Sequence, residues 1–193
     1  MCGRYYVDDE TAQEIEKIVR KVSEKMMHIG DIHPTEHAPV LHKSENGFIS
    51  SHMTWGFRGT EDNHIIINAR SESSIEKPSF KSAMQRRRCV VPAKGFYEWD
   101  NNKNKVAFES IDENVIWMAG IWKPSEVGNC FVVLTTAANE SVEGVHDRMP
   151  LILERKEIND WIFDQGFVEY AVRKIPSPLK KISTYQQMNL FDI

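Results

Sequence analysis

Cysteine is scarce in this chain: Cys2, Cys89 and Cys130 are odd in number, far apart and in no CxxC pair. That spacing argues against a disulfide framework or a cysteine-rich zinc site, and it places the protein in a reducing cytoplasm. Long apolar runs are missing too. Runs such as Val132 to Leu134 and Ile65 to Ile67 are far too short to span a bilayer, so no membrane association is expected. Met1-Cys2-Gly3-Arg4 is no charged-then-apolar leader. Nor is there an excess of positive charge: 24 Lys and Arg stand against 28 Asp and Glu, a net charge of −4. Domains that bind DNA are usually basic, because neutralising phosphates supplies much of their affinity. The balance lowers the expectation of a nucleic-acid partner without excluding one, since a groove needs only local positive charge. Arg86, Arg87 and Arg88 form one basic block, and Arg4, Arg70, Lys77, Lys81 and Arg148 lie near the motifs described below. Internal repeats and low-complexity linkers are also absent.

What is present fits one domain. With 193 residues and 41% apolar side chains the chain can bury a substantial core, and its five Trp, nine Phe and eight Pro are spread so that neither half reads as disordered. A helix is expected after Asp8, Asp9 and Thr11, with Thr11 and Glu14 in capping-box spacing. Ile15, Ile18, Val19, Val22 and Met26 line one helical face that ends before Gly30. His28 to Pro39 reads as a loop. Strands are expected at Phe48 to Phe57, His64 to Ala69, Cys89 to Trp99, Lys105 to Ser110, Val115 to Trp122 and Cys130 to Thr136. Asn101-Asn102 and Ile111 to Asn114 read as hairpin connections between neighbours. A short helix from Ser79 to Arg88 would bury Phe80, Ala83 and Met84. A last one from Glu154 to Phe163 would bury Ile158, Trp161 and Ile162. The order predicts an α+β fold: a single domain over residues 1–185 with a mostly antiparallel or mixed, barrel-like sheet, a few flanking helices and a tail at 186–193.

The most informative residue is Cys2. Methionine aminopeptidase removes Met1 when the next side chain is small, which would make Cys2 the mature N-terminus. Such a residue carries two nucleophiles on adjacent carbons. Its α-amine has an ordinary pKa of about 7.8. Its thiol is strong once deprotonated, and Arg4 or a charged His would lower its pKa. An amine condenses with an aldehyde to an imine, and the neighbouring thiol can then close a thiazolidine ring. From position alone, Cys2 is also simply the residue after an initiator methionine.

Four further segments narrow the choice: Ile67-Asn68-Ala69-Arg70-Ser71-Glu72, Cys89 through Trp99 (with Val90-Val91-Pro92-Ala93-Lys94-Gly95-Phe96-Tyr97-Glu98 between), Thr135-Thr136-Ala137-Ala138-Asn139, and Val145-His146-Asp147-Arg148-Met149-Pro150. With Met1-Cys2-Gly3-Arg4 they resemble the SOS-response-associated peptidase family, whose members include abasic-site sensors that crosslink to single-stranded DNA. The match runs in order from residue 2 to about residue 153. The resemblance implies four catalytic residues. Cys2 is the nucleophile. Glu98, flanked by Tyr97 and Trp99, is the acid/base that opens the closed sugar to its aldehyde and shuttles protons at the imine. His146 is the second acid/base, near the sugar O4′ or the 3′ phosphate. Asn68 orients the substrate or the terminal amine, since an amide cannot transfer protons near neutral pH.

Arg4, Arg70 and Arg148 are implied phosphate contacts, for which a planar guanidinium fork is suited. Trp99 and Pro34 are implied stacking and wedge surfaces beside the lesion. Trp55, in Trp55-Gly56-Phe57, matches the family's Trp-Gly step as a DNA contact, although its surroundings also read as core. Here the chain departs from the pattern. Many members carry further Trp and Pro residues after that step, whereas this one has Arg58-Gly59-Thr60-Glu61, leaving Phe57 or His64 as substitutes. No metal and no cofactor are expected: Pro34 and Pro39 break any helix that would align His28, His33, His37 and His42. The block Arg86 to Arg88 reads first as a solvated helix face.

Gln187-Met188-Asn189-Leu190-Phe191 resembles the short peptide that docks on the bacterial sliding clamp, with Leu190 and Phe191 filling an apolar pocket and Gln187 fixing the backbone. The expected function is therefore covalent capture of abasic sites in single-stranded DNA by a cytoplasmic, monomeric protein that joins the nucleoid when bound. Two alternatives stand beside it: a cysteine peptidase or autopeptidase using Cys2 and His146, and a non-covalent reader of single-stranded or modified DNA.

Overall fold

A computed structural model describes residues 2–18, 29–45, 47–59, 64–126 and 128–183. In chain order the elements begin with β1 (Arg4–Val7), α1 (Asp9–Ile18), β2 (Gly30–Ile32), β3 (His37–Ser44), β4 (Gly47–Trp55), β5 (Phe57–Arg58), β6 (Ile65–Ile66) and β7 (Asn68–Arg70). Next come α2 (Ser71–Ser74), α3 (Pro78–Arg86), β8 (Arg88–Ala93), β9 (Gly95–Trp99), β10 (Lys105–Ser110), β11 (Ile116–Ser125) and β12 (Gly128–Ala137). The chain continues through β13 (Arg148–Pro150), β14 (Ile152–Leu153), a 3₁₀ turn (Arg155–Glu157), α4 (Ile158–Phe163), α5 (Phe167–Ala171) and β15 (Leu179–Ser183).

The strands β12, β4, β3, β8 and β11 pair in that order and β11 returns to β12, closing a ring. Within the ring only β12–β4 runs parallel. The short strands β7, β13 and β14 hang on this barrel, and a separate antiparallel sheet runs β15-β10-β9-β1-β2. The result is the expected α+β domain with a mostly antiparallel, barrel-like core. No described helix is long and apolar enough to cross a membrane.

Alternate residues of the barrel strands feed two cores. Leu41, Val90, Ala119, Ile121, Val132 and Leu134 pack with Phe80, Trp161 and Val172 of the helical side. Val40, Cys89, Val91, Met118, Phe131 and Val133 pack with Tyr5, Phe96 and Phe108 of the second sheet. Strands covered on both faces read as continuous apolar runs, which is why β8 is buried at every position. Close approach sets one glycine: a Cβ on Gly120 would sit 2.9 Å from the Val132 carbonyl oxygen and 3.1 Å from the Cys89 sulfur.

Several expectations are corrected. His28 to Pro39 is not all loop: β2 and the start of β3 lie there, and Ala38, Pro39 and Val40 are buried. Cys89 to Trp99 is two strands in different sheets, divided at Lys94. A Cβ on Gly95 would meet the Phe108 carbonyl oxygen at 2.5 Å, so glycine permits the tight start of β9. Asn101-Asn102 does join neighbours, since Trp99 pairs with Lys105. Ile111 to Asn114 instead crosses from the second sheet to the barrel. The first helix is capped by Asp8, whose Oδ1 accepts from the Thr11 backbone N–H at 2.9 Å and from its hydroxyl at 2.8 Å. The continuation of that helix through Val19, Val22 and Met26 lies outside the described residues, as does the Gln187 to Phe191 segment.

The basic block is also corrected. Arg88 is 5% exposed and opens β8. Its guanidinium donates to the Met84 carbonyl at 2.7 Å, the Gln165 side chain at 2.7 Å, the Asp164 carbonyl at 3.2 Å and the Trp161 carbonyl. It therefore satisfies carbonyls at the ends of α3 and α4, where the helix dipoles favour a cation. Arg88→Met should strand these acceptors and destabilise the domain by about 2–4 kcal/mol. Urea unfolding should show a lower midpoint at unchanged slope; a loss below about 0.5 kcal/mol would contradict this role.

Candidate active site

The division at Lys94 carries β9 out of the barrel and lays it against β1, with Arg4 opposite Tyr97 and Tyr5 opposite Phe96. Side chains alternate along a strand, so Glu98 shares the inward face of Phe96 and is 2% exposed. Cys2 precedes β1 and is fully buried. Asn68 opens β7, and its Nδ2 donates to the Cys2 carbonyl at 2.8 Å. His146 lies just before β13 and is partly exposed, its side chain at 26%. Glu98 lies within electrostatic reach of the Cys2 thiol on one side and of His146 on the other. The four residues expected to do chemistry thus gather where the second sheet meets the barrel. The cleft of about 220 Å3 between Ser110, Val115, Leu153 and Pro178 contains none of them.

Burial shapes the acid–base properties of this cluster. It pushes the Glu98 carboxyl above the ordinary carboxylate range, with Asp147 adding to the rise and His146 opposing it. Burial also pushes the Cys2 thiol up, and the negative charge of Glu98 adds to it. The thiol is therefore neutral at physiological pH. Arg4 opposes this rise through its backbone and not through its charge: the Arg4 fork is directed elsewhere, 3.5 Å from an Asp31 carboxylate oxygen and 5.5 Å from the Trp99 ring centroid. What the Cys2 sulfur meets is the Arg4 backbone carbonyl, at 3.7 Å.

His146 Nδ1 has two claimants. The Arg148 backbone N–H donates to it at 2.9 Å, and an Asp147 carboxylate oxygen also lies 2.9 Å away. One nitrogen cannot accept and donate at once. The neutral ring accepts from Arg148 and carries its proton on Nε2; Asp147, whose side chain is 84% exposed, becomes the partner only of a ring with a proton on Nδ1. Around the cluster several buried polar atoms have no hydrogen-bond partner among the described residues: Arg4 Nε, Tyr5 Oη, Asn68 Oδ1 and Arg148 Nε. Buried polar atoms without a protein partner call for one from solvent or from a bound molecule.

The remaining expected contacts divide. Trp99 and Pro34 are partly exposed, and Arg70 is exposed at the end of β7. Arg148 is 12% exposed and committed: its fork takes Glu72 through two bonds of 2.5 and 2.8 Å and the Thr135 carbonyl at 2.6 Å. The Arg148 hydrogen bonds hold the Glu72 carboxyl down to about 2. Trp55 has no exposed surface; its indole N–H donates to the Ile67 carbonyl at 2.9 Å and its ring lies between Tyr5 and Phe131. It is a core residue, so the stacking contact expected of it is withdrawn. Glu72 and Thr135 sit in the quoted motifs, yet nothing in the sequence signals that Arg148 joins them across 76 and 13 positions.

Because burial raises the Glu98 pKa, its contribution to folding is fully present below about pH 4.5 and is lost as pH rises through the folded value. Glu98→Gln should therefore be more stable than the parent at pH above neutrality and lose that advantage in acid. Thermal unfolding across pH tests the sign; a variant less stable at alkaline pH contradicts it.

Comparison with known proteins gives a consistent set of relatives. The sequence profile of the family described as SOS response associated peptidase (SRAP) matches residues 1–189. The chain is 28% identical over 183 residues to the abasic site processing protein YoqW of Bacillus subtilis, covering 84% of this chain and 80% of the relative. It is 28% identical over 176 residues to the abasic site processing protein YedK of Escherichia coli, with 84% and 79% covered. The abasic site processing protein HMCES of Gallus gallus is 34% identical over 136 residues, covering 55% of this chain and 40% of the relative. A solved phage-related protein of Bordetella bronchiseptica superposes with a TM-score of 0.80 at 19% identity, over 96% of this chain and 95% of that one, which shows a shared fold.

Proposed function

The chain belongs to the SOS response associated peptidase family, and from that premise we propose that it captures abasic sites in single-stranded DNA as a covalent thiazolidine on Cys2. The observation that carries this reading is the Asn68 amide on the Cys2 carbonyl at 2.8 Å, with Glu98 and His146 beside it. Asn68 engages the one backbone group of Cys2 that takes no part in the chemistry. The relatives named abasic site processing proteins supply the substrate class.

The sequence of steps follows from the protonation states. Glu98, with its raised pKa, donates a proton to the sugar ring oxygen as the hemiacetal opens and takes back the proton of the C1′ hydroxyl, while the Nε2–H of His146 hydrogen-bonds the departing oxygen. The α-amine of Cys2, exposed once Met1 is removed, adds to the aldehyde carbon. Loss of water, protonated by the same acid, leaves an iminium ion. The thiol stays neutral until this point, so the amine is the first nucleophile and sulfur the second. Sulfur then attacks C1′, its proton passes to the Glu98 carboxylate, and the C=N bond becomes an amine within the ring. The same neutral thiol weighs against a peptidase in which a Cys2 thiolate attacks an amide. Arg4, Arg70 and Trp99 line the approach of the strand, with Arg offering phosphate contacts and Trp99 a stacking face. The Gln187, Leu190 and Phe191 segment is proposed to dock on a sliding clamp. Deleting residues 187–193 should abolish clamp capture in a pull-down and leave DNA capture intact.

Incubating the protein with an abasic single-stranded oligonucleotide should give a product that survives heat and SDS, and intact mass should show Met1 absent. Cys2→Ser keeps the amine but should yield only an imine trapped by borohydride. A crosslink that persists in protein whose terminal amine is blocked would overturn the mechanism.

A further inference from the structure

The strands β7 and β13 are three residues each and lie on opposite edges of β12. Val133 N–H donates to the Ile67 carbonyl on one edge, and Leu151 N–H donates to the Leu134 carbonyl on the other. Alternate residues of a strand turn their polar groups to opposite edges, so Thr135, two on from Val133, turns its carbonyl toward the β7 side. Arg148 belongs to β13, yet its fork reaches that carbonyl at 2.6 Å and continues to Glu72 at the start of α2, directly after β7. One side chain thus crosses β12 and ties its two edge strands together. The backbone of Arg148 completes the link. The bonds on either side run through the Asp147 carbonyl, which accepts from Ala138, and through Leu151 N–H. They skip the Arg148 N–H, which goes to His146 Nδ1 at 2.9 Å.

We propose that Glu72 is a positioning residue of the Cys2 centre: by anchoring the Arg148 fork it keeps the strand ends that carry Asn68 and His146 in register and holds the neutral His146 ring with its proton on Nε2. Asn68 begins the strand that Glu72 follows, and His146 lies two residues before Arg148, which begins β13. With the fork released, β13 keeps only its few ladder bonds to β12, and the Arg148 N–H is free to leave Nδ1. Charged groups that bear on His146 include Glu98 from β9 and Asp147 in its own turn. With Arg148 gone from Nδ1, Asp147 recruits the proton there, and Nε2 is left as an acceptor.

The effect on capture rests on the function proposed above; the effect on the imidazole does not, and the two are read separately. Glu72→Gln is the variant of choice, because the side chain is 51% exposed and the amide is isosteric. In the parent, the ¹⁵N shifts of His146 should report a proton on Nε2; in Glu72→Gln they should report mixed tautomers. At saturating abasic oligonucleotide the single-turnover rate of crosslinking should fall roughly tenfold or more, as expected for displaced catalytic groups. The rate–pH profile should shift, while affinity for an intact strand holds or rises because Arg148 is released to phosphate. An unchanged tautomer in Glu72→Gln overturns the proposal, including when melting temperature falls, since that outcome makes Glu72 merely structural. A changed tautomer with no crosslink from the parent supports the positioning role and sinks the function proposed for the site.

Discussion

The hydrogen bond from Asn68 to the Cys2 carbonyl is the constraint on which the site depends. Its net energy is modest, on the order of 1 kcal/mol. Its importance lies in what it connects. Cys2 and Glu98 arrive on the second sheet, through β1 and β9, whereas Asn68 and His146 arrive on edge strands of the barrel. Among the described residues, no strand pairing holds the chain's beginning against the barrel at this point. An amide is suited to the task, because it can hold a carbonyl at any pH without exchanging protons with the groups that must titrate.

Burial does the rest of the electrostatic work. Glu98 and Cys2 lie on the same seam and both are shielded from water, but the consequences differ by chemistry. For the carboxyl, a raised pKa extends the acid form toward neutral pH, where it can donate a proton to a leaving oxygen. For the thiol, the same effect postpones reactivity. Each also constrains the other, since the charge of Glu98 raises the thiol further. Sulfur and carboxylate are thus disfavoured as simultaneous anions, so in the proposed mechanism proton transfer from one to the other would be coupled to ring closure. The proposed order, amine then sulfur, would follow from solvation without a dedicated thiolate-stabilising cation.

Much of this was legible in the sequence, and the failures have physical causes. The helix Pro78–Arg86 and the buried Ile158, Trp161 and Ile162 followed from helical periodicity, because each helix buries one face only. The strands at Lys105–Ser110 and Gly128–Ala137 followed from apolar runs. The run from Cys89 to Trp99 concealed a change of sheet, since strands buried on both faces lose the alternation that reveals a boundary. The expected loop from His28 to Pro39 hid strand residues for a different reason: its His and Pro content reads as loop, although β2 and the start of β3 pair there. At the site, the motifs located Cys2, Asn68, Glu98 and His146, but side-chain partnership across the fold was invisible. Trp55 read as core before platform, and the closed barrel buries it fully. Arg88 looked like surface charge because a run of three arginines gives no hint that one of them turns inward to helix carbonyls.

The net charge of −4 then acquires a local meaning. Two of the three arginines expected to meet DNA already face acids: Arg4 faces Asp31 and Arg148 faces Glu72. A phosphate approaching either must share or displace a carboxylate, so these contacts gain less than a free guanidinium would offer. Arg70, exposed at the end of β7, carries no such cost among the described residues. Under the function proposed for the site, an intact strand would be held weakly by charge alone and residence would depend on the lesion: loose electrostatics would allow release from ordinary sequence, and the bond to Cys2 would supply the stability that ion pairing withholds.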